Sequence, residues 1–260
     1  MIHYVLLGIV QGLTEFLPVS SSGHLVIAER FLGLDPPGVL LEAFLHVGTL
    51  AAVLWVFRSD IADLAKAFTR RGTIERRKEF GLLVAGTVPI VVVGLFFRSI
   101  ADAVFSSLAV VGGGLLVTAV ALAVADRLRT RAHRRELQFV DSLIVGVAQA
   151  LALFPGVSRS GMTIAAGIAR KVEPARAARF SFLLSIPALL GATALSLWDL
   201  AAGGGWSGDW LGIAIGTVAS LIVGVIAIHA LLAIVRRSRL GFFALYCVCA
   251  GLCVLVYSLI

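Results

Sequence analysis

The sequence predicts an all-α polytopic membrane protein, built as an inverted-topology repeat with six transmembrane spans and two re-entrant helical hairpins. Three observations carry this expectation. Hydrophobic residues make up 59% of the 260-residue chain and charged residues 14%, with a mean hydropathy of +1.00, which no ordinary soluble domain shows. Lys and Arg collect in short segments between the apolar runs. A stretch near the start recurs 138 residues later without a gap.

Taken in order, apolar runs at about 39–57, 80–98, 104–126, 180–198, 210–235 and 241–260 each approach the roughly 20 residues that cross a bilayer core. Regions 5–33 and 139–169 are apolar too, but Pro, Gly and Ser clusters interrupt them and ionisable residues sit in their middle. The backbone groups freed by such breaks need protein or water partners, so these regions are expected to be broken helices rather than lipid-facing spans. The gaps between runs are too short for a soluble domain. A single membrane domain over 1–260 follows, with repeat one at about 1–126 and repeat two at about 139–260. Met1 to Val10 lacks a basic leader, and no cleavable signal peptide is expected.

Charge fixes orientation. Segments 58–78, 127–135, 170–179 and 236–239 are rich in Arg and Lys and read as cytoplasmic, whereas 29–38, 99–103 and 199–209 are poor in both and read as external. These assignments alternate across the six spans but leave both ends of 139–169 inside, so that segment enters and leaves on one side, with Pro155 and Gly156 at its tip. The net charge of +7 is thereby explained by orientation, and no nucleic-acid partner is expected.

The repeat aligns GIVQGLTEFLPVSSSGHL from Gly8 with GVAQALALFPGVSRSGMT from Gly146. Identities include Gln11 with Gln149, Phe16 with Phe154, Ser20 with Ser158, Ser22 with Ser160, and Gly23 with Gly161. Chance likeness between apolar segments matches Leu, Val and Ala; matched Gln, Ser and Gly point to structural equivalence. If the first copy also re-enters, it dips from the outside, and two broken helices meet near the midplane.

The chemistry concentrates at these tips. Ser20, Ser21 and Ser22 in one, and Ser158 and Ser160 in the other, precede apolar runs as helix caps do, and two helix starts facing each other cradle an anion. Arg159 lies within the second tip, where a lone cation costs about 2.5–3.5 kcal/mol on insertion scales unless a phosphate or Glu15 compensates it. Glu15 and His24 supply a carboxylate and an imidazole for general acid–base or nucleophilic work. Ser21 and His24, three residues apart, fit one face of a helix start. Thr163 is placed to touch a phosphate or to satisfy backbone, with neither favoured. His46 either reaches the pocket or packs, and Gln11 and Gln149 are supporting positions. No P-loop, HExxH or zinc-ligand spacing occurs, and Cys247, Cys249 and Cys253 read as packing or lipid-facing residues.

On QGLTEFLPVSSSGHL (Gln11 to Leu25) and PGVSRSGMT (Pro155 to Thr163), extended by FLHVGTLAAV and FSFLLSIPALLGATAL, the sequence resembles the undecaprenyl-diphosphate phosphatase family of the bacitracin-resistance type. The resemblance covers nearly the whole chain. It implies hydrolysis of undecaprenyl diphosphate to undecaprenyl phosphate and inorganic phosphate, which recycles the cell-wall lipid carrier and raises bacitracin tolerance. Glu15, Ser21 and His24 take catalytic roles in it, with Ser158, Arg159 and Thr163 on the phosphate; Ser20, Ser22 and Ser160 join them from the helix-cap argument. Membrane lipids and a polyprenyl diphosphate are the implied partners, in a cell membrane with the site open to the outside. A divalent cation, Mg²⁺ or Ca²⁺, is expected to bridge diphosphate oxygens and Glu15, more weakly where Gln11 replaces a relative's Glu. A homodimer is an open alternative to a monomer. Inverted repeats with midplane broken helices also build transporters, so a lipid flippase is the competing function.

Overall fold

The computed structural model describes residues 1–33, 39–69, 72–97, 104, 107–202, 209–237 and 239–259. Arg70, Arg71, the expected external loop at 99–103, and the 34–38 and 203–208 parts of those expected at 29–38 and 199–209 lie outside the described residues. What is described is helical: α1 (Ile2–Phe16), α2 (Ser21–Phe31), α3 (Val39–Val56), α4 (Arg58–Ala65), α5 (Ile74–Phe97), α6 (Leu108–Leu128), α7 (Phe139–Leu151), α8 (Arg159–Ala169), α9 (Pro174–Ala202), α10 (Trp210–Arg237) and α11 (Gly241–Ser258).

Five of these, α5, α6, α9, α10 and α11, are long and apolar enough to cross a membrane, and α3 becomes a sixth when joined to the segment after it, from which it is bent by 73°. The protein is therefore a multi-pass membrane protein. Its outer faces agree: Val92, Leu95, Ile226 and Leu252 stand exposed, an arrangement that lipid tolerates and water does not. Each of the six expected apolar runs holds a helix, five of them long enough to span by themselves, but α5 and α9 start earlier than their apolar runs, at Ile74 and Pro174. Glu, Arg and Lys are good helix formers, so the helix continues through the charged turns that hydropathy discards. For the same reason α4 occupies a segment expected as loop.

Small residues set the packing. A Cβ at Gly12 of α1 would lie 2.7 Å from the Ser220 carbonyl of α10, and one at Gly112 of α6 would lie 3.0 Å from the Gly251 carbonyl of α11. Gly146 of α7 abuts Gly86 of α5 in the same manner. Close backbone approach of this kind replaces the hydrophobic drive that lipid removes. The main core joins Phe16 and Val19 to Leu115, Ile164, Phe182 and Leu183, so it sits directly behind the two tips.

The four basic segments gather at one end. Arg179 pairs with Asp60 and Glu79, Lys78 with Glu136 at 3.5 Å, and Arg129 donates to the Val235 carbonyl at 3.2 Å. Asp141 at the start of α7 accepts from Arg170, just beyond α8, at 2.9 Å. The two ends of the α7–α8 hairpin therefore meet.

Candidate active site

Two helical hairpins, α1–α2 and α7–α8, bring their connecting turns together. Helices α2 and α8 begin at residues 138 positions apart and end likewise, and the same contacts cap each. Ser20 Oγ accepts from the Gly23 N–H at 3.3 Å and lies 3.3 Å from Ser22 Oγ. Ser158 Oγ accepts from the Gly161 N–H at 3.1 Å and lies 3.2 Å from Ser160 Oγ. The matched serines are caps, which satisfy helix-start donors and leave the following residue, Ser21 or Arg159, to project. The turns touch: Ser160 Oγ donates to the Leu17 carbonyl at 3.2 Å, and a Cβ on Gly23 would lie 3.1 Å from Gly156 Cα.

Glu15 is the hub. Its Oε2 accepts from Ser21 Oγ at 2.5 Å and from Gln11 Nε2 at 3.2 Å, with His46 Nε2 3.9 Å away. Its Oε1 accepts from Arg159 Nη2 at 2.6 Å, across 144 residues of chain. The carboxylate is buried, as Arg159 largely is, so the pair exists because each neutralises the other in a medium that would penalise either alone. The pairing is not saturated. Arg159 Nη1 and Gln11 Oε1 are buried and without a hydrogen-bond partner among the described residues. An unfilled donor on a guanidinium and an unfilled carbonyl oxygen beside the same carboxylate suit an oxyanion and a hard cation respectively.

Of the expected residues, Gln11, Glu15, Ser21, His46 and Arg159 converge. His24 does not join them. Its Nδ1 is 2.7 Å from the Ser20 carbonyl, which can only accept, so Nδ1 carries the hydrogen. In the neutral ring Nε2 is then the acceptor, and it receives the Tyr246 hydroxyl of α11 at 2.6 Å, the rings stacked at 5.7 Å. Both nitrogens are engaged away from Glu15, although the three-residue spacing suggested a shared face with Ser21. Thr163 donates to the Arg159 carbonyl at 2.8 Å and meets Ser181 Oγ at 2.6 Å, so its hydroxyl serves helix and packing. Gln149 is fully buried with both amide atoms unpartnered among the described residues; Leu153 stands where a second Glu15 would have met it.

Two residues escaped the sequence reading. Tyr246 lies 222 residues from His24, and no local pattern pairs them. Thr118 of α6 accepts from the Ser158 N–H at 2.8 Å and donates to the Gly114 or Gly156 carbonyl at 3.1 Å, pinning the second turn. A lone buried Thr in an apolar span was the available signal. At that turn Gly156 has φ +87°, and a Cβ there would strike the Val111 carbonyl, so glycine is required.

The family described as Bacitracin resistance protein BacA matches residues 4–253. Among curated relatives, an undecaprenyl-diphosphatase of Syntrophotalea carbinolica is 46% identical over 250 residues, covering 95% of this chain and 94% of its own. One of Halothermothrix orenii is 40% identical, covering 98% and 96%, and one of Desulfatibacillum aliphaticivorans is 42% identical, covering 100% and 99%.

Proposed function

The chain belongs to the bacitracin resistance protein BacA family, and from that premise we infer that it is a membrane phosphatase converting undecaprenyl diphosphate to undecaprenyl phosphate and inorganic phosphate. By recycling that carrier lipid it confers bacitracin tolerance. One observation carries the assignment of the reaction to this site: Glu15 holds a serine hydroxyl on one oxygen and an arginine on the other, with further donors and acceptors unfilled.

Ser21 is the nucleophile in this reading. Glu15 takes its proton as Oγ attacks the terminal phosphorus, the bridging P–O bond breaks, and undecaprenyl phosphate leaves with that bond's electron pair. Glu15 passes that proton to the departing undecaprenyl phosphate and, as a carboxylate again, deprotonates a water that attacks the phosphoserine; the Ser21 Oγ–P bond breaks, and Oγ takes the proton back as inorganic phosphate is released. Arg159 binds the transferred group through Nη1 while Nη2 keeps Glu15 oriented, and the amide groups of the α2 and α8 starts face the developing charge. The engagement of both His24 nitrogens supports Ser21 over His24. Glu15 and Gln11 Oε1 suit a divalent cation, Mg²⁺ or Ca²⁺, whose remaining ligands would be substrate oxygens. Such an ion would supply neutralisation of the diphosphate charge.

The topology belongs to the same proposal. The basic end faces the cytoplasm of a cell membrane, the two hairpins re-enter from opposite sides as an inverted repeat, and the site opens to the outside. A cysteine placed at Arg131, in a background without native cysteines, should label only after permeabilisation; external labelling overturns the orientation. For the reaction, purified protein in detergent should release phosphate from undecaprenyl diphosphate, and acid quench should trap an acid-stable phosphoprotein absent from Ser21→Ala. Lipid movement with no phosphate released would favour a flippase.

A further inference from the structure

We propose that the groove between α2 and α11 seats the first isoprene units of the lipid substrate, with Tyr246 as its inner wall. The inference rests on the phosphatase reading and adds where the lipid lies. The groove has a volume of about 420 Å³, and His24, Ile27 and Phe31 of α2 face Tyr246, Ala250 and Tyr257 of α11 across it. Apart from His24, Arg30 and the tyrosine hydroxyls, its lining is apolar.

Its position argues for an isoprenoid chain rather than a stray acyl chain. Of its lining residues His24 is nearest in sequence to the site, one helical turn along α2 from Ser21, so the groove starts beside the place where the diphosphate would be held. Helix α11 is fixed to that turn twice, by Tyr246 on His24 and by Cys247 Sγ donating to the Pro18 carbonyl at 3.6 Å. From His24 to Phe31 the helix rises about 10 Å, enough for the first units of a chain but not for a whole carrier lipid. At the outer end Phe31 and Tyr257 stack at 6.4 Å, and the groove opens into a second cavity of about 520 Å³ lined by Arg30, Ser107 and Ser258. A cation at that mouth meets an arriving diphosphate before the tail follows it in.

The chain carries its own reporter. Cys253 lines the groove and is exposed, and Cys249 is exposed on the same helix without lining it. In Cys247→Ser proteins retaining only Cys253 or only Cys249, labelling by an apolar maleimide is timed with farnesyl monophosphate, farnesyl diphosphate or inorganic diphosphate. Farnesyl compounds at saturation should slow Cys253 labelling about tenfold and leave Cys249 unaffected, and inorganic diphosphate should protect neither. Val254→Trp, which fills the groove, should lower kcat/KM for farnesyl diphosphate relative to dimethylallyl diphosphate by about tenfold, given about 0.8 kcal/mol per buried methylene. Val120→Trp on the lipid face of α6 should match the parent. Phosphate release with Cys253 unprotected and the ratio unchanged overturns the groove. Protection without phosphate release keeps the groove and sinks the phosphatase reading instead.

Discussion

The two turns share a capping scheme and a fold, and even Gln11 matches Gln149, yet they differ at the acid, the projecting residue and the imidazole. Where the first has Glu15, Ser21 and His24, the second has Leu153, Arg159 and Met162. Ser20 sits at φ +73° and ψ 102°, a conformation that strains a residue with a side chain, while its counterpart Ser158 is relaxed at φ −75°. The strained turn is the one whose next residue must meet a carboxylate on the preceding helix. The relaxed turn only has to project a long side chain across the gap. The caps are identical because both helices must begin, and in the proposed mechanism the projecting residues divide the labour into an attacking group and a phosphate-binding one.

The comparison can be broken at Glu15 first. Glu15→Gln removes the proton acceptor from Ser21 and leaves Arg159 unneutralised, so phosphate release should fall by about 10³-fold or more. Leu153→Ala, at the matched position, should leave turnover within a few-fold of the parent. Equal losses in both would mean that the halves are not specialised.

Arg159→Lys tests the second turn. The ammonium keeps the charge but cannot hold Glu15 and a phosphate with two separate donors, so a loss of about 10²-fold is expected, with Arg159→Ala no better. Near-parental hydrolysis by the lysine variant would reduce the role of Arg159 to electrostatics.

Tyr246→Phe asks what His24 does. Its loss frees Nε2 while keeping the stacked ring, and kcat should change by less than about tenfold, with the phosphoserine still trapped. An acid-labile, base-stable adduct in this variant would show that Tyr246 had been restraining a nucleophilic imidazole.

The smallest effect should also be opposite in sign. Gln149→Leu removes two buried, unpartnered amide atoms, and is expected to stabilise the protein by about 1 kcal/mol, read as a small rise in thermal midpoint with activity unchanged. Gln11→Leu, which breaks a bond to Glu15, should instead lower activity.

The sequence displayed the spans because a bilayer demands long apolar runs, and it displayed Glu15 and Arg159 as neighbours because the repeat matches Arg159 to Ser21, a residue of the turn that follows Glu15. The early starts of α5 and α9 were invisible to hydropathy, since helical hydrogen bonding does not depend on side-chain polarity. Tyr246 and Thr118 were hidden for another reason. Each meets its partner through the rotation of one helix about its axis against another, which is set by packing such as Gly112 on Gly251 rather than by any spacing along the chain. The direction of His24 failed likewise: spacing puts it on the face of Ser21, but the Ser20 carbonyl and Tyr246 turn its ring aside.

The contact that crosses the molecule also imposes an order on its birth. Glu15 precedes its counter-ion by 144 residues. At about 5–20 residues per second of synthesis, the carboxylate waits roughly 7–30 s for the guanidinium to be made. Throughout that interval the nascent protein has Gln11, Ser21 and His46 to shield an acid inside hydrocarbon. A ribosome that stops after α6 therefore leaves a fragment with the reactive half complete and uncompensated, and such fragments should be cleared by membrane proteases faster than fragments of equal length carrying Glu15→Leu.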